Sequence, residues 1–149
     1  MSVPPSDPAR PVLTLDPARM TRLGAVDPRY QSYNVEMVEV TGGRFWKPYA
    51  AWTADGKDRY QYRPTLDLQN PRLRSLAAAL GPAYMRVSGT WANTTAFDDR
   101  DPPSTTVPDG FECVLTPRQL QGVVEFSRAV DAKIATSMAV STGTRDAAG

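Results

Sequence analysis

Read for its alternation of apolar and polar positions, the chain divides into short strands, two helices and two long irregular stretches. Tyr33-Asn34-Val35-Glu36-Met37-Val38-Glu39-Val40 has the β-branched, period-two character of a strand and stops at Thr41-Gly42-Gly43. Strict alternation sets Val35, Met37 and Glu39 on one face and Asn34, Glu36, Val38 and Val40 on the other. Asn70-Pro71 opens a helix, with Asn as N-cap and Pro at the first helical position. Leu73, Leu76, Ala77 and Leu80 form its apolar stripe, and Gly81-Pro82 ends it. The next run, Ala83-Tyr84-Met85-Arg86-Val87, reads as a buried strand that breaks into polar residues at Ser88-Gly89-Thr90. A second helix opens at Thr116-Pro117, where Gln119 completes a capping box, and buries Leu120, Val123, Val124 and Val130. Lys133 to Val140 is a third strand, running into Ser141-Thr142-Gly143-Thr144.

The order is strand, helix, strand, helix, strand, which predicts an α/β fold with a parallel sheet and right-handed crossovers. Ahead of it, residues 1–10 read as a disordered leader, rich in Pro, Ser and Asp, and Pro11–Asp16 as a short strand leading into a connection. Arg44 to Gln69 is a long irregular loop holding Phe45, Trp46, Tyr49, Trp52, Tyr60 and Tyr62 among scattered cations. Aromatic faces with interspersed cations suit flat, hydroxyl-rich or anionic ligands, although a self-packed surface loop has the same composition. Ala96 to Leu115 is a second irregular loop, dense in Asp, Pro and Thr.

Composition narrows the chemistry. The 149 residues are enough for one domain, and the net charge of +1 provides no global field for nucleic acid or an anionic membrane. No apolar run reaches the ~20 residues of a membrane span. The start lacks the basic-then-apolar layout of a signal peptide, which leaves export of a longer parent open. With no histidine, the chain cannot build a Ser-His or Cys-His nucleophile pair, and it lacks the commonest transition-metal ligand. The single cysteine, Cys113, cannot form an internal disulfide and is expected to pack. Neither a metal nor a cofactor is expected. Glu36, within a strand rather than a solvated loop, needs partners or a wet cavity. Gly89 allows backbone or ligand to come close, and Thr90 and Asn93 offer hydroxyl and amide groups beside it.

Three segments together resemble glycoside hydrolase family 79, which contains heparanases and β-glucuronidases. They are Asp27-Pro28-Arg29-Tyr30-Gln31-Ser32-Tyr33-Asn34-Val35-Glu36, Asn70 to Leu80, and Gly81 to Thr90. The resemblance runs from about Val12 to Gly149 and implies the N-terminal portion of a (β/α)₈ TIM barrel, about three parallel strands and two helices. It divides the chain into the leader, an accessory β-sandwich strand with its connection over 11–30, and an incomplete barrel over 31–149. A complete barrel takes about 250 residues. The family mechanism implied is retaining, with an acid/base and a nucleophilic glutamate about 5–5.5 Å apart. The positions of both fall outside the matched stretch, so no catalytic residue is assigned in this chain. Glu36 and Glu39 are not promoted to that role, because odd spacing in one strand aims them at opposite faces.

The resemblance implies sugar-binding roles for Glu36, Thr90 and Asn93. Glu36 stands where family members carry an acidic residue, often Asp, that hydrogen-bonds sugar hydroxyls. Asn93 takes a place often held by Asp, and Ser88 replaces a more usual glycine. The implied function is part of a glycosidase acting on β-linked glucuronides or uronic-acid glycans, the carbohydrate substrate being the partner. The remainder of the barrel would come from a second chain or further sequence. An alternative is a non-catalytic carbohydrate-binding or interaction module on the same strands. An enzyme handling a phosphorylated substrate ranks below both, for want of a Gly-rich phosphate loop before a helix.

Overall fold

The computed structural model describes residues 14–53, 55–100, 102–104 and 106–140. It is a mixed α/β structure with a three-stranded parallel sheet and three helices. The sheet consists of β1 (Tyr33–Glu36), β4 (Ala83–Ser88) and β7 (Ala132–Thr136), side by side in that order. Tyr33 pairs with Met85, Glu36 with Ser88 and Met85 with Ile134. Val35, Ala83, Met85 and Val87 are buried on one face, with Ile134 half-buried. Asn34, Tyr84, Arg86, Lys133 and Ala135, which alternate with them, are exposed on the other.

The helices α2 (Pro71–Ala79) and α3 (Pro117–Ala129) start where their caps predict. Asn70 Oδ1 accepts from the N–H groups of Arg72 and Leu73 at 3.0 and 3.2 Å. Thr116 and Gln119 form the reciprocal box, and the Gln119 amide also reaches the Thr41 carbonyl at 3.4 Å, tying the helix to the first crossover. A cap of this kind is worth about 1 kcal/mol. The stripes are narrower than the spacing suggests. Leu76 and Leu80 of the first are exposed at 60% and 49%, leaving Ala77 buried and Leu73 half-buried. In α3, Val123 and Phe126 are buried and Val130 is buried just after it, whereas Leu120 and Val124 are half-buried. Val123, Phe126 and Val130 share one cluster with Val35, Met85 and Val87 of the sheet.

Several expectations are corrected. The first strand ends at Glu36, and Met37–Thr41 is a helical turn, α1. Met37, Val38 and Val40 are all buried there. Glu39 reaches back to accept from the Glu36 N–H at 2.8 Å, and Gly42, with φ of +73°, ends the turn. Burial on several sides therefore overrides the β-propensity of the valines. The long loop after it contains an antiparallel hairpin, β2 (Gly43–Trp46) with β3 (Tyr60–Arg63), in which Arg44 pairs with Tyr62 and Trp46 with Tyr60. The second loop contains β5 (Thr95–Phe97) and β6 (Cys113–Leu115), paired in parallel. The third strand also stops at Thr136, four residues before Val140.

The whole leader, the first three residues of the expected Pro11–Asp16 strand and the run from Ser141 lie outside the described residues. Thr14–Asp16 is not strand; Asp16 instead caps a short 3₁₀ turn, Pro17–Arg19. Asp27 likewise caps Pro28–Tyr30, from which Arg29 extends to the start of the sheet. Its guanidinium donates to the carbonyls of Ala83 and Asp131 at 3.3 and 2.5 Å and pairs with the Asp131 carboxylate at 2.7 Å.

Candidate functional site

Parallel strands end together, so the residues just past β1, β4 and β7 share one rim of the sheet. Glu36 closes β1 and lies opposite Ser88, the last residue of β4. Ser88 is buried, and the Ser137 hydroxyl donates to its Oγ at 3.1 Å. Ser137 is locked in turn by its N–H, which donates to the Val87 carbonyl at 3.1 Å.

Gly89 follows with φ of +100° and has the Glu36 carboxylate pressed against it. A Cβ on residue 89 would lie 1.5 Å from Glu36 Oε2. That oxygen is buried and has no hydrogen-bond partner among the described residues. Burial pushes the Glu36 carboxyl above its ordinary pKa; Glu39 adds to the rise, and Arg86 opposes it. Glu36 and Glu39, set on opposite faces by the alternation, are thus neighbours. The turn that follows Glu36 brings them together, and Glu39 is engaged with the Glu36 backbone.

Thr90 and Asn93 both lie in the 3₁₀ turn Thr90–Thr94, Thr90 exposed and Asn93 half-buried. The turn is held to the hairpin by Trp91, whose indole N–H donates to the Arg44 carbonyl at 2.8 Å. Between them opens a cavity of about 610 Å³. The hairpin contributes Arg44, Trp46 and Tyr60 to its walls, and the turn contributes Thr90, Trp91 and Thr94. Glu112 and Cys113 close the remaining side. The site predicted from sequence is therefore split. Thr90 faces the cavity, while Glu36 lies behind Gly89 at the sheet rim and Asn93 shares the turn without lining the space.

Sequence reasoning named the aromatic residues of the hairpin but not their arrangement. Trp46 packs on Tyr60 with ring centres 4.7 Å apart, and it meets Trp91 edge-on at 6.1 Å and 87°. Trp52 stacks behind Trp46 at 5.8 Å. Cys113 is half-buried, and its thiol donates to the Gly42 carbonyl at 3.5 Å. Burial pushes that thiol up, away from a reactive thiolate. Among the described residues, no group of three or more His, Cys, Asp or Glu side chains could hold a metal ion, and no helix is long and apolar enough to cross a membrane.

The site thus belongs to an α/β protein that gathers polar groups at the C-terminal rim of a parallel sheet. No protein-family model matches the chain, and no curated protein matches it.

Proposed function

We propose that the chain forms the first part of a retaining glycoside hydrolase barrel of the family 79 kind. In it, Glu36 and Thr90, with Asn93 nearby, contact the sugar of a β-linked glucuronide or uronic-acid glycan. The acid/base and nucleophilic glutamates would come from later barrel strands. The observation that carries this reading is the Glu36 carboxylate, packed on Gly89 with one oxygen left without a partner. A buried acceptor of this kind costs stability unless something completes it. A sugar hydroxyl at the strand ends would do so, and such rims are where α/β barrels bind substrate. The open sheet face bearing Asn34, Tyr84, Arg86 and Lys133 is also consistent with a barrel interior, since parallel sheets are ordinarily covered on both sides.

The test is Glu36→Ala in the complete protein that carries this chain, assayed on aryl β-glucuronides. The expected result is wild-type hydrolysis, with kcat/KM reduced at least about tenfold in the variant, the scale of one lost hydrogen bond to a charged group. A folded variant with unchanged turnover and substrate affinity would remove Glu36 from the site. Absence of hydrolysis in the wild type would favour a carbohydrate-binding module instead.

A further inference from the structure

The cavity beside Thr90 has a chemistry of its own, distinct from the polar rim. Trp46 and Trp91 meet nearly at right angles, and Tyr60 extends the Trp46 wall. A flat ring entering such a corner stacks on one indole while meeting the other edge-on, the two geometries that aromatic pairs prefer. Its volume of about 610 Å³ lies within the ~300–1,000 Å³ of small-molecule sites.

The nearby charges do not make it an anion site. Lys47 is paired with Asp58, and Lys57 with Asp55. Arg59 is bound to the Gly56 carbonyl and lies over the Trp52 ring. Those three lie outside the cavity lining, whereas Arg44 lines it, lies over the Tyr60 ring and shares the cavity with the carboxylate of Glu112. One cation and one anion facing the same space favour neither sign. The cations that the sequence scatters through this stretch are thus mostly engaged with their own neighbours.

We propose that this cavity is the subsite for the leaving group and that it takes a neutral, planar aromatic group such as a phenol in preference to an anionic sugar unit, an inference that rests on the glycosidase reading above. Thr90 joins the two halves. It borders the cavity and directly follows Gly89, on which the Glu36 carboxylate rests. A sugar at the rim and an aryl group in the corner would lie on either side of it.

The chain supplies its own reporter. Its three tryptophans, Trp46, Trp52 and Trp91, all belong to this cluster, so their emission reads the occupancy of the corner. The experiment titrates the chain with p-cresol and, separately, with p-toluenesulfonate, which has a similar ring carrying a negative charge. Saturable quenching by p-cresol is expected, with affinity reduced at least about tenfold in Trp46→Ala, as for a truncated aromatic anchor. The sulfonate is expected to bind more weakly. Because Trp46→Ala also loosens the aromatic cluster, Glu112→Gln gives a second measurement at an exposed position. It should strengthen sulfonate binding relative to p-cresol by about threefold or more, the scale of one partly screened charge. Absence of saturable p-cresol binding, sulfonate binding as tight as p-cresol, or a sulfonate-to-cresol ratio unmoved by Glu112→Gln would each overturn the proposal. None of these readouts involves glycoside cleavage, so this inference and the hydrolase reading can fail separately.

Discussion

The carboxylate of Glu36 rests on the α-carbon of Gly89, so that residue 89 has no room for a side chain. This contact joins the ends of β1 and β4 and explains why glycine stands between Ser88 and Thr90. Gly89→Ala should be destabilising twice over. Its φ of +100° costs any L-residue about 1–3 kcal/mol, and the new methyl group collides with Glu36. Replacing Glu36 with Ala as well should relieve the collision but not the backbone strain. A double-mutant cycle by urea denaturation is therefore expected to show a favourable coupling of about 1 kcal/mol or more. Strict additivity would show that the two residues do not touch.

Two carboxylates should leave opposite signatures in the pH dependence of stability. Burial raises the Glu36 carboxyl above its unfolded value, so its contribution is fully present below the unfolded pKa and is lost as pH rises through the folded one. Glu36→Gln should accordingly gain stability relative to wild type as pH rises from about 4 to 7. Asp98 is the reverse case. The Arg100 side chain at 2.6 Å and the Ser104 N–H at 2.6 Å hold its carboxyl well below the usual range. Its stabilisation is present above the unfolded pKa and is lost as pH falls through the folded one. Asp98→Asn should be destabilising at pH 7, with the gap closing below about pH 4. Thermal melts of both variants across this range check the two signs together.

Arg29 and Asp131 stand 102 residues apart and meet at the N-terminal end of the sheet. The ion pair itself is exposed on the Asp131 side and contributes little. The guanidinium bonds to two backbone carbonyls matter more. Arg29→Ala should cost about 1–3 kcal/mol, whereas Asp131→Gly should be near neutral. The latter loses the pair but relieves a non-glycine residue held at φ of +50° just past a helix. Equal losses in the two variants, measured by denaturant midpoint, would place the energy in the ion pair instead.

The features that local chemistry governs were open to reading from the chain alone. Asn70 and Thr116 satisfy orphan N–H groups within three residues of themselves, so the helix starts follow from the order of residue types. The three-strand parallel order likewise follows from helices lying between apolar runs. Tertiary structure decided what depends on burial from more than one side. Met37 to Val40 had the composition of a strand and became a turn because Met37, Val38 and Val40 are all buried. The aromatic loop became a hairpin because Arg44 to Trp46 found partners in Tyr60 to Tyr62, a pairing that no local pattern announces. The contact of Glu36 with Gly89 and the corner between Trp46 and Trp91 have the same origin. Each joins residues more than forty positions apart, and the packing of separate segments, rather than the residue types, sets such distances.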